Sequence, residues 1–279
     1  MLKLTVITPT IGNKHLAEAI RSVQNQSYET IKHTLVVDGQ ANLPAVKKIA
    51  DETKFKGEIL VLPTATGLNK FFGHRIYGAM PLLLDSDLVA FLDEDNWYEA
   101  NHAASAVTMI EEGHLSWAYA LRNVVESDST FICRDDCQSL GWWPAYDGAY
   151  HHVDTSCFIV RREVAVAAAS LWHRQGYTPG VRDPDREFCR WLIYNHPHGF
   201  TTGQYTVNYR LGSNHTEDRD RTFYQFGNAI SGKMYNVFPW LVVGAQKPDG
   251  DRCHLGFIPK TEDVAAVFGQ IPATLNRSH

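Results

Sequence analysis

Four short apolar runs, at residues 2–7, 34–37, 58–63 and 89–92, alternate with stretches of helical period through the first hundred residues of this chain. Each run is too short for a helix and is closed by Pro, Gly or acidic residues, which marks it as a strand buried on both faces. Between the first two, Leu16, Ala19, Ile20 and Val23 recur at i, i+3, i+4 and i+7, the apolar face of a helix over residues 15–25. Residues 43–53 and 75–83 read as helices in the same way. This βαβαβαβ alternation implies a parallel sheet with right-handed crossovers. It also brings every strand's carboxyl end to one edge, where open α/β sheets bind their ligands.

Downstream the pattern loosens. Residues 102–112 read as a helix, 115–125 as strands, 128–152 as a polar and aromatic stretch, and 154–160 as a strand. Helices follow over 162–173 and 184–194. No repeat, low-complexity linker or sharp composition change divides the chain. The expectation is one domain, in which residues 1–100 form a ligand-binding βα half and residues 101–279 a second half built onto the same sheet.

Composition narrows the class of partner. The chain has 279 residues, 44% of them apolar and 20% charged, ordinary values for a globular enzyme with an ample core. Its mild net charge of −5 argues against nucleic acid as a partner. No apolar stretch approaches the roughly 20 residues of a membrane span, and the N-terminus is too polar for a signal peptide. The five cysteines are odd in number and scattered, and Cys133-x-x-x-Cys137 lacks a second ligand pair at zinc spacing. Together these features read as a reduced, cytoplasmic protein.

The fourth strand runs straight into Asp93-Glu94-Asp95-Asn96-Trp97-Tyr98. Two carboxylates facing one cavity repel and lose hydration unless a cation lies between them. Asp93 and Asp95, two residues apart at a ligand-binding edge, are therefore candidate metal ligands, with Glu94 between them turned away in a structural role. The alternative is a helix cap followed by a solvated acidic turn.

Five segments, taken in order, carry a resemblance. They are Val6-Ile7-Thr8-Pro9-Thr10, then Ile20-Arg21-Ser22-Val23-Gln24-Asn25-Gln26-Ser27-Tyr28, Val36-Val37-Asp38-Gly39, Phe91-Leu92-Asp93-Glu94-Asp95, and Asp185-Arg186-Glu187-Phe188-Cys189-Arg190-Trp191-Leu192. In these, from residue 1 to about 215, the chain resembles the family 2 (GT-A fold) glycosyltransferases. The resemblance implies an α/β nucleotide-diphospho-sugar transferase fold, Rossmann-like, with a mostly parallel central sheet flanked by helices. It implies transfer of a sugar from a nucleoside diphosphate donor, UDP foremost and GDP next, to a saccharide or other hydroxyl acceptor, with inversion. Mn²⁺ or Mg²⁺ would be the cofactor, because charge develops on diphosphate oxygens and hard cations take oxygen ligands.

The resemblance also distributes roles. Asp95 would bind the metal, and Asp93 the metal or the donor's ribose. Asp38 would hydrogen-bond the base, with Thr8, Pro9 and Thr10 beside it; here the loop reads Asp38-Gly39-Gln40, one acid short of the family's Asp-Asp-Gly-Ser. Arg75 would meet the diphosphate or hold an acid of the Asp93–Asp95 turn, although the family's following Asn is absent and a purely structural ion pair is the alternative. His215 would be a third metal ligand, or else a surface-loop residue. Asp185 would be the catalytic base, with Asp183 as its rival and Glu187 third. Asp154 and the aromatics Trp142, Trp143 and Trp172 would wall the acceptor cleft, the alternative for each Trp being buried core.

Three other functions compete. A sugar nucleotidyltransferase would carry a Gly-rich, basic signature near its start, for which Ile11-Gly12-Asn13-Lys14 is too thin. A non-catalytic nucleotide- or carbohydrate-binding protein would keep the metal site and lack a working base. A metal-dependent phosphohydrolase would need more acids and histidines on one sheet edge than the sequence places there.

Overall fold

The structure is a computed structural model that describes residues 1–143, 151–176, 183–212, 221–235 and 237–243. Its first half follows the apolar alternation: β1 (Leu4–Thr10), α1 (Leu16–Gln24), β2 (Ile31–Val37), α2 (Leu43–Glu52), β3 (Glu58–Val61), α3 (His74–Leu83) and β4 (Leu88–Phe91). The four strands pair in parallel in the order β3-β2-β1-β4. Every residue of β4 is buried, as a strand covered on both faces requires. Pro9 falls beyond the last pairing with β4, Ile7 opposite Phe91, so its missing N–H costs that ladder nothing.

The second half comprises β5 (Trp97–Tyr98), α4 (His102–Glu112), β6 (Trp117–Val125), β7 (Phe131–Arg134), β8 (Phe158–Arg161), α5 (Arg162–Ala167), α6 (Pro184–Asn195), β9 (Gly199–Arg210) and α7 (Arg221–Met234). The sheet continues from β4 through β8, β6, β9 and β5, with β7 paired to β6. Here the strands are mixed: β8 is antiparallel to β4 and β6, while β9 is parallel to β6. One nine-stranded sheet thus carries strands from both halves of the chain.

Two elements differ from expectation for visible reasons. The helix expected over 162–173 stops at Ala167, and a 3₁₀ turn, Ala169–Trp172, turns the Trp172 ring into the core. There it lies 5.5 Å from Tyr77, 5.5 Å from Phe91 and 4.9 Å from Phe188, centroid to centroid. The strand expected from residue 154 opens instead with a 3₁₀ turn, Thr155–Cys157, because the Asp154 side chain caps it by accepting from Ser156 N at 3.0 Å.

Four elements lie outside the sequence expectations: β5, β7, β9 and α7. Strand β9 buries Thr201, Thr202, Thr206, Asn208 and Arg210 beside a single buried large apolar residue, Val207, so its apolar signal is weak. Among the described residues, no helix is long and apolar enough to cross a membrane.

Candidate functional site

Three turns and two helix starts converge at the carboxyl edge of the parallel strands. The turn after β4 is the centre. Asp93 Oδ1 accepts a hydrogen bond from Tyr77 Oη at 2.6 Å, and Tyr77 stands on the first turn of α3. The Asp93 amide donates to Ser156 Oγ at 3.2 Å, and Asn96 Nδ2 donates to the same oxygen at 3.1 Å. Asn96 N closes the turn on Asp93 O at 3.1 Å. Asp95 is 5% exposed, and its carbonyl accepts from Arg210 Nε at 3.0 Å.

Glu94 has the structural role expected of it. It accepts from Thr10 Oγ1 at 2.5 Å, from Asn13 N at 2.9 Å and from Ile11 N at 3.3 Å, so it ties the turn after β4 to the turn after β1. Thr10 is thereby committed to Glu94. Thr8 is fully buried, with Oγ1 2.9 Å from His33 Nε2.

Asp38, at the end of β2, organises the loop that leads from β3 to α3. Its Oδ1 accepts from Thr66 N at 2.6 Å and Thr66 Oγ1 at 2.9 Å, and its Oδ2 from Gly67 N at 2.8 Å. A carboxylate offers about four acceptor sites, so Oδ2 keeps capacity for a further donor. The next residue, Gly39, has φ 98°, and a Cβ there would lie 3.2 Å from Ala65 N, so the turn requires glycine. The same loop holds Asn69, Lys70 and Phe72 at positive φ of 59°, 66° and 47°. Strained non-glycine backbone of this kind clusters where a loop is shaped for a task.

One of the roles expected of Arg75, holding an acid of the Asp93–Asp95 turn, is not met. Among the described residues it holds no acid: its guanidinium lies 3.4 Å above the Phe71 ring, and Nη1 donates weakly to Thr66 O at 3.3 Å. The contact from α3 to the Asp93–Asp95 turn is made by Tyr77, two residues further on. Both side chains lie in the segment Gly73-His74-Arg75-Ile76-Tyr77, and the phenol is the one that points into the core.

Asp185 stands in the first turn of α6, where Asp183 is the N-cap residue and Pro184 follows it. Its Oδ1 accepts from Arg186 N at 2.7 Å, and Oδ2 lies 3.5 Å from His152 Nδ1. Burial, opposed by Arg186 and helped by Asp183 and Asp154, raises its pKa to about 6. Burial likewise drives Asp93 well above the usual carboxylate range, with Asp95, Asp154 and Asp185 adding to it and the Tyr77 hydrogen bond opposing. Asp93, Asp95, Asp154 and Asp185 therefore share one electrostatic site. Glu187, the third candidate base, pairs along the helix with Arg190 at 3.6 Å.

The Asp154 side of the site rests on one buried cation, Arg122. Arg122 donates Nε to Asp135 Oδ2 at 2.7 Å, Nη1 to Asp154 Oδ2 at 2.6 Å, and Nη2 to Gln138 Oε1 at 2.5 Å. This fork holds Asp154 beside Asp93 and Asp185. Trp142 and Trp172 are core residues, 3% and 1% exposed, and Trp142 Nε1 donates to Gly199 O at 3.1 Å. Trp143 is half-buried. His215 lies outside the described residues.

The donor set suits a hard cation only in part by itself. Two carboxylates meet at one turn, and no group of three or more His, Cys, Asp or Glu arranged to hold a metal occurs among the described residues. One or two carboxylates completed by substrate phosphate oxygens is the usual Mg²⁺ arrangement, and the like-charge repulsion that raises Asp93 is what a cation relieves.

No protein-family model matches the chain, and no curated protein matches it in sequence. Solved structures of TarS from S. aureus do match in fold. TarS 1–349 superposes with a TM-score of 0.57 at 16% identity, covering 75% of this chain and 60% of that one. The same fragment in complex with UDP gives 0.56 at 15%, covering 75% and 61%, and in complex with UDP-GlcNAc 0.56 at 15%, covering 75% and 58%. This chain thus spans about six-tenths of the TarS fragment. What this likeness establishes is the architecture: the chain shares with TarS a curled, mostly parallel α/β sheet flanked by helices.

Proposed function

We propose that this protein is a metal-dependent, inverting glycosyltransferase that moves a sugar from a nucleoside diphosphate sugar, UDP foremost and GDP next, to an acceptor hydroxyl. The observation that carries the reading is the convergence of Asp93, Asp95 and Asp185 at the carboxyl edge of a GT-A-like sheet, Asp185 with its pKa raised to about 6. The TarS fragments of the same fold hold UDP and UDP-GlcNAc, which favours a uridine donor.

In this reading Asp38, Thr8, Pro9 and Thr10 border the base and ribose, and Arg75 lies by the diphosphate. Asp95 and Asp93, with His215, would hold Mn²⁺ or Mg²⁺, which when bound supplies positive charge for the departing diphosphate. Asp185 removes the proton from the acceptor hydroxyl as that oxygen bonds to the anomeric carbon and the bond to the diphosphate oxygen breaks on the opposite face. The proton ends on the Asp185 carboxylate. Arg122 Nη1 holds Asp154 Oδ2 at 2.6 Å, and Asp154 faces the acceptor as a hydrogen-bond acceptor. The free thiols of Cys133, Cys137, Cys157 and Cys189 suit a reducing compartment, and we place the protein in the cytoplasm.

The test is a thermal-shift panel of UDP-, GDP-, dTDP- and CMP-sugars with and without Mn²⁺. A UDP- or GDP-sugar shift that disappears with EDTA supports the reading. A metal-independent shift, or none, refutes it.

A further inference from the structure

Strand β9 ends in an arginine that is 2% exposed, deeper than a cation normally goes. Burying a guanidinium costs several kcal/mol unless its donors are met. Those of Arg210 are met from three directions. Nε donates to Asp95 O at 3.0 Å. Nη1 donates to Ser127 O at 2.8 Å, to Ser129 Oγ at 3.0 Å and weakly to Glu126 O at 3.4 Å. Nη2 donates to Glu18 on α1 in a short ion pair. The guanidinium carbon lies 4.8 Å from the centroid of the Trp97 ring, which restricts its plane.

The same residue grips the acidic turn a second time. Arg210 N donates to Asn96 Oδ1 at 3.0 Å, while Asn96 Nδ2 reaches Ser156 Oγ at 3.1 Å. The peptide between Asp95 and Asn96 is thus held at its carbonyl by the Arg210 side chain and at the following side chain by the Arg210 backbone. Fixing that peptide fixes the direction in which the Asp95 Cα–Cβ bond leaves the chain. A neutral amide would satisfy one carbonyl. The forked, always-charged guanidinium additionally locks the turn to α1 and to the β6–β7 turn, two elements remote in sequence.

We infer that Arg210, anchored by Glu18, is the positioning residue of the acidic turn: it sets the Asp95 carboxylate for the cation and diphosphate of the donor. The metal arm of this inference rests on the function proposed above, and the positioning of the turn does not. Lysine at this position keeps the charge but has a single nitrogen, which cannot span the Asp95 carbonyl, the β6–β7 turn and Glu18 together.

Two variants test it, Arg210→Lys and the milder Glu18→Gln, the latter at a side chain already 37% exposed. Hydrogen–deuterium exchange on the metal-free full chain follows peptides covering residues 93–99, with a β2 peptide as internal reference. The expected result is exchange across 93–99 accelerated roughly tenfold or more in Arg210→Lys and less in Glu18→Gln, with β2 unchanged. In the presence of UDP, Mn²⁺ affinity read from the electron paramagnetic resonance of free Mn²⁺ falls roughly 10- to 100-fold in Arg210→Lys, the usual cost of losing an outer partner of a metal ligand. Melting temperature stays near the parent's in Glu18→Gln. Parent-like exchange in both variants overturns the inference. So does acceleration that is equal in β2, which would mark a general loss of structure. If the parent itself takes up no Mn²⁺ with UDP, the proposed function fails while the exchange measurement still decides the role of Arg210.

Discussion

A carboxylate at Asp185 must be ionised to accept a proton, yet burial raises its pKa to about 6. Below about 6 the group carries a proton and cannot act as base, and above it the group is ready. Transfer rate under saturating metal and donor should therefore rise with pH through about 6 and level off beyond it; an initial-rate profile with a flat acid limb would contradict the base assignment. Asp185→Asn should lower transfer by roughly 10²- to 10⁴-fold while leaving UDP binding in place, measured by single-turnover kinetics and calorimetry. Unchanged turnover would transfer the role to Asp183. Asp95→Ala should abolish metal-dependent donor binding with the fold intact, and retained Mn²⁺-dependent binding would remove Asp95 as principal ligand. These residues were legible one by one because each follows an apolar run or opens a helix. Tyr77, Ser156 and Arg210 were not, because a phenol, a hydroxyl and a buried arginine become site residues only through what they touch.

Among the elements, β6 has the largest burden. It crosses the sheet between β8 and β9, and its Arg122 joins Asp135 and Asp154 from opposite sides. Removing the cation leaves two buried carboxylates without compensation. Arg122→Ala should therefore cost about 3–5 kcal/mol, read as a lower urea midpoint at unchanged slope. A loss below about 1 kcal/mol would mean that water replaces the guanidinium, and the Asp154 anchoring drawn here would fall. The elements of the first half were legible because buried strands and amphipathic helices differ in period. Strand β9 was not, since its buried residues are largely threonine, asparagine and arginine, whose inward placement is supported by partners and not by apolarity.

For the molecule as a whole, buried histidines tie folding to pH, His33 and His102 most strongly. His33 on β2 and His102 on α4 are buried, and burial lowers each pKa to about 3. The unfolded chain takes up these protons near pH 6.5, so their contribution is fully present above that pH and is lost as pH falls toward about 3. Each should cost about 2 kcal/mol of stability at pH 5 relative to pH 8. The raised pKa values of Asp93, to about 8, and of Asp185, to about 6, work in the opposite sense, so the parent must be compared with a variant. His102→Gln should flatten the fall of the urea-derived stability between pH 8 and 5 relative to the parent, and an identical slope would refute the assignment. By itself the sequence determined the parallel βα half and the edge on which its acids lie, because hydrophobic period and turn residues are local signals. Only the tertiary structure decided that Tyr77 holds Asp93, that Arg122 holds Asp154 and that Arg210 holds the Asp95 turn. Each of those contacts joins residues far apart in the chain or hidden by polar composition, and a hydrogen bond between buried groups has no periodicity to read.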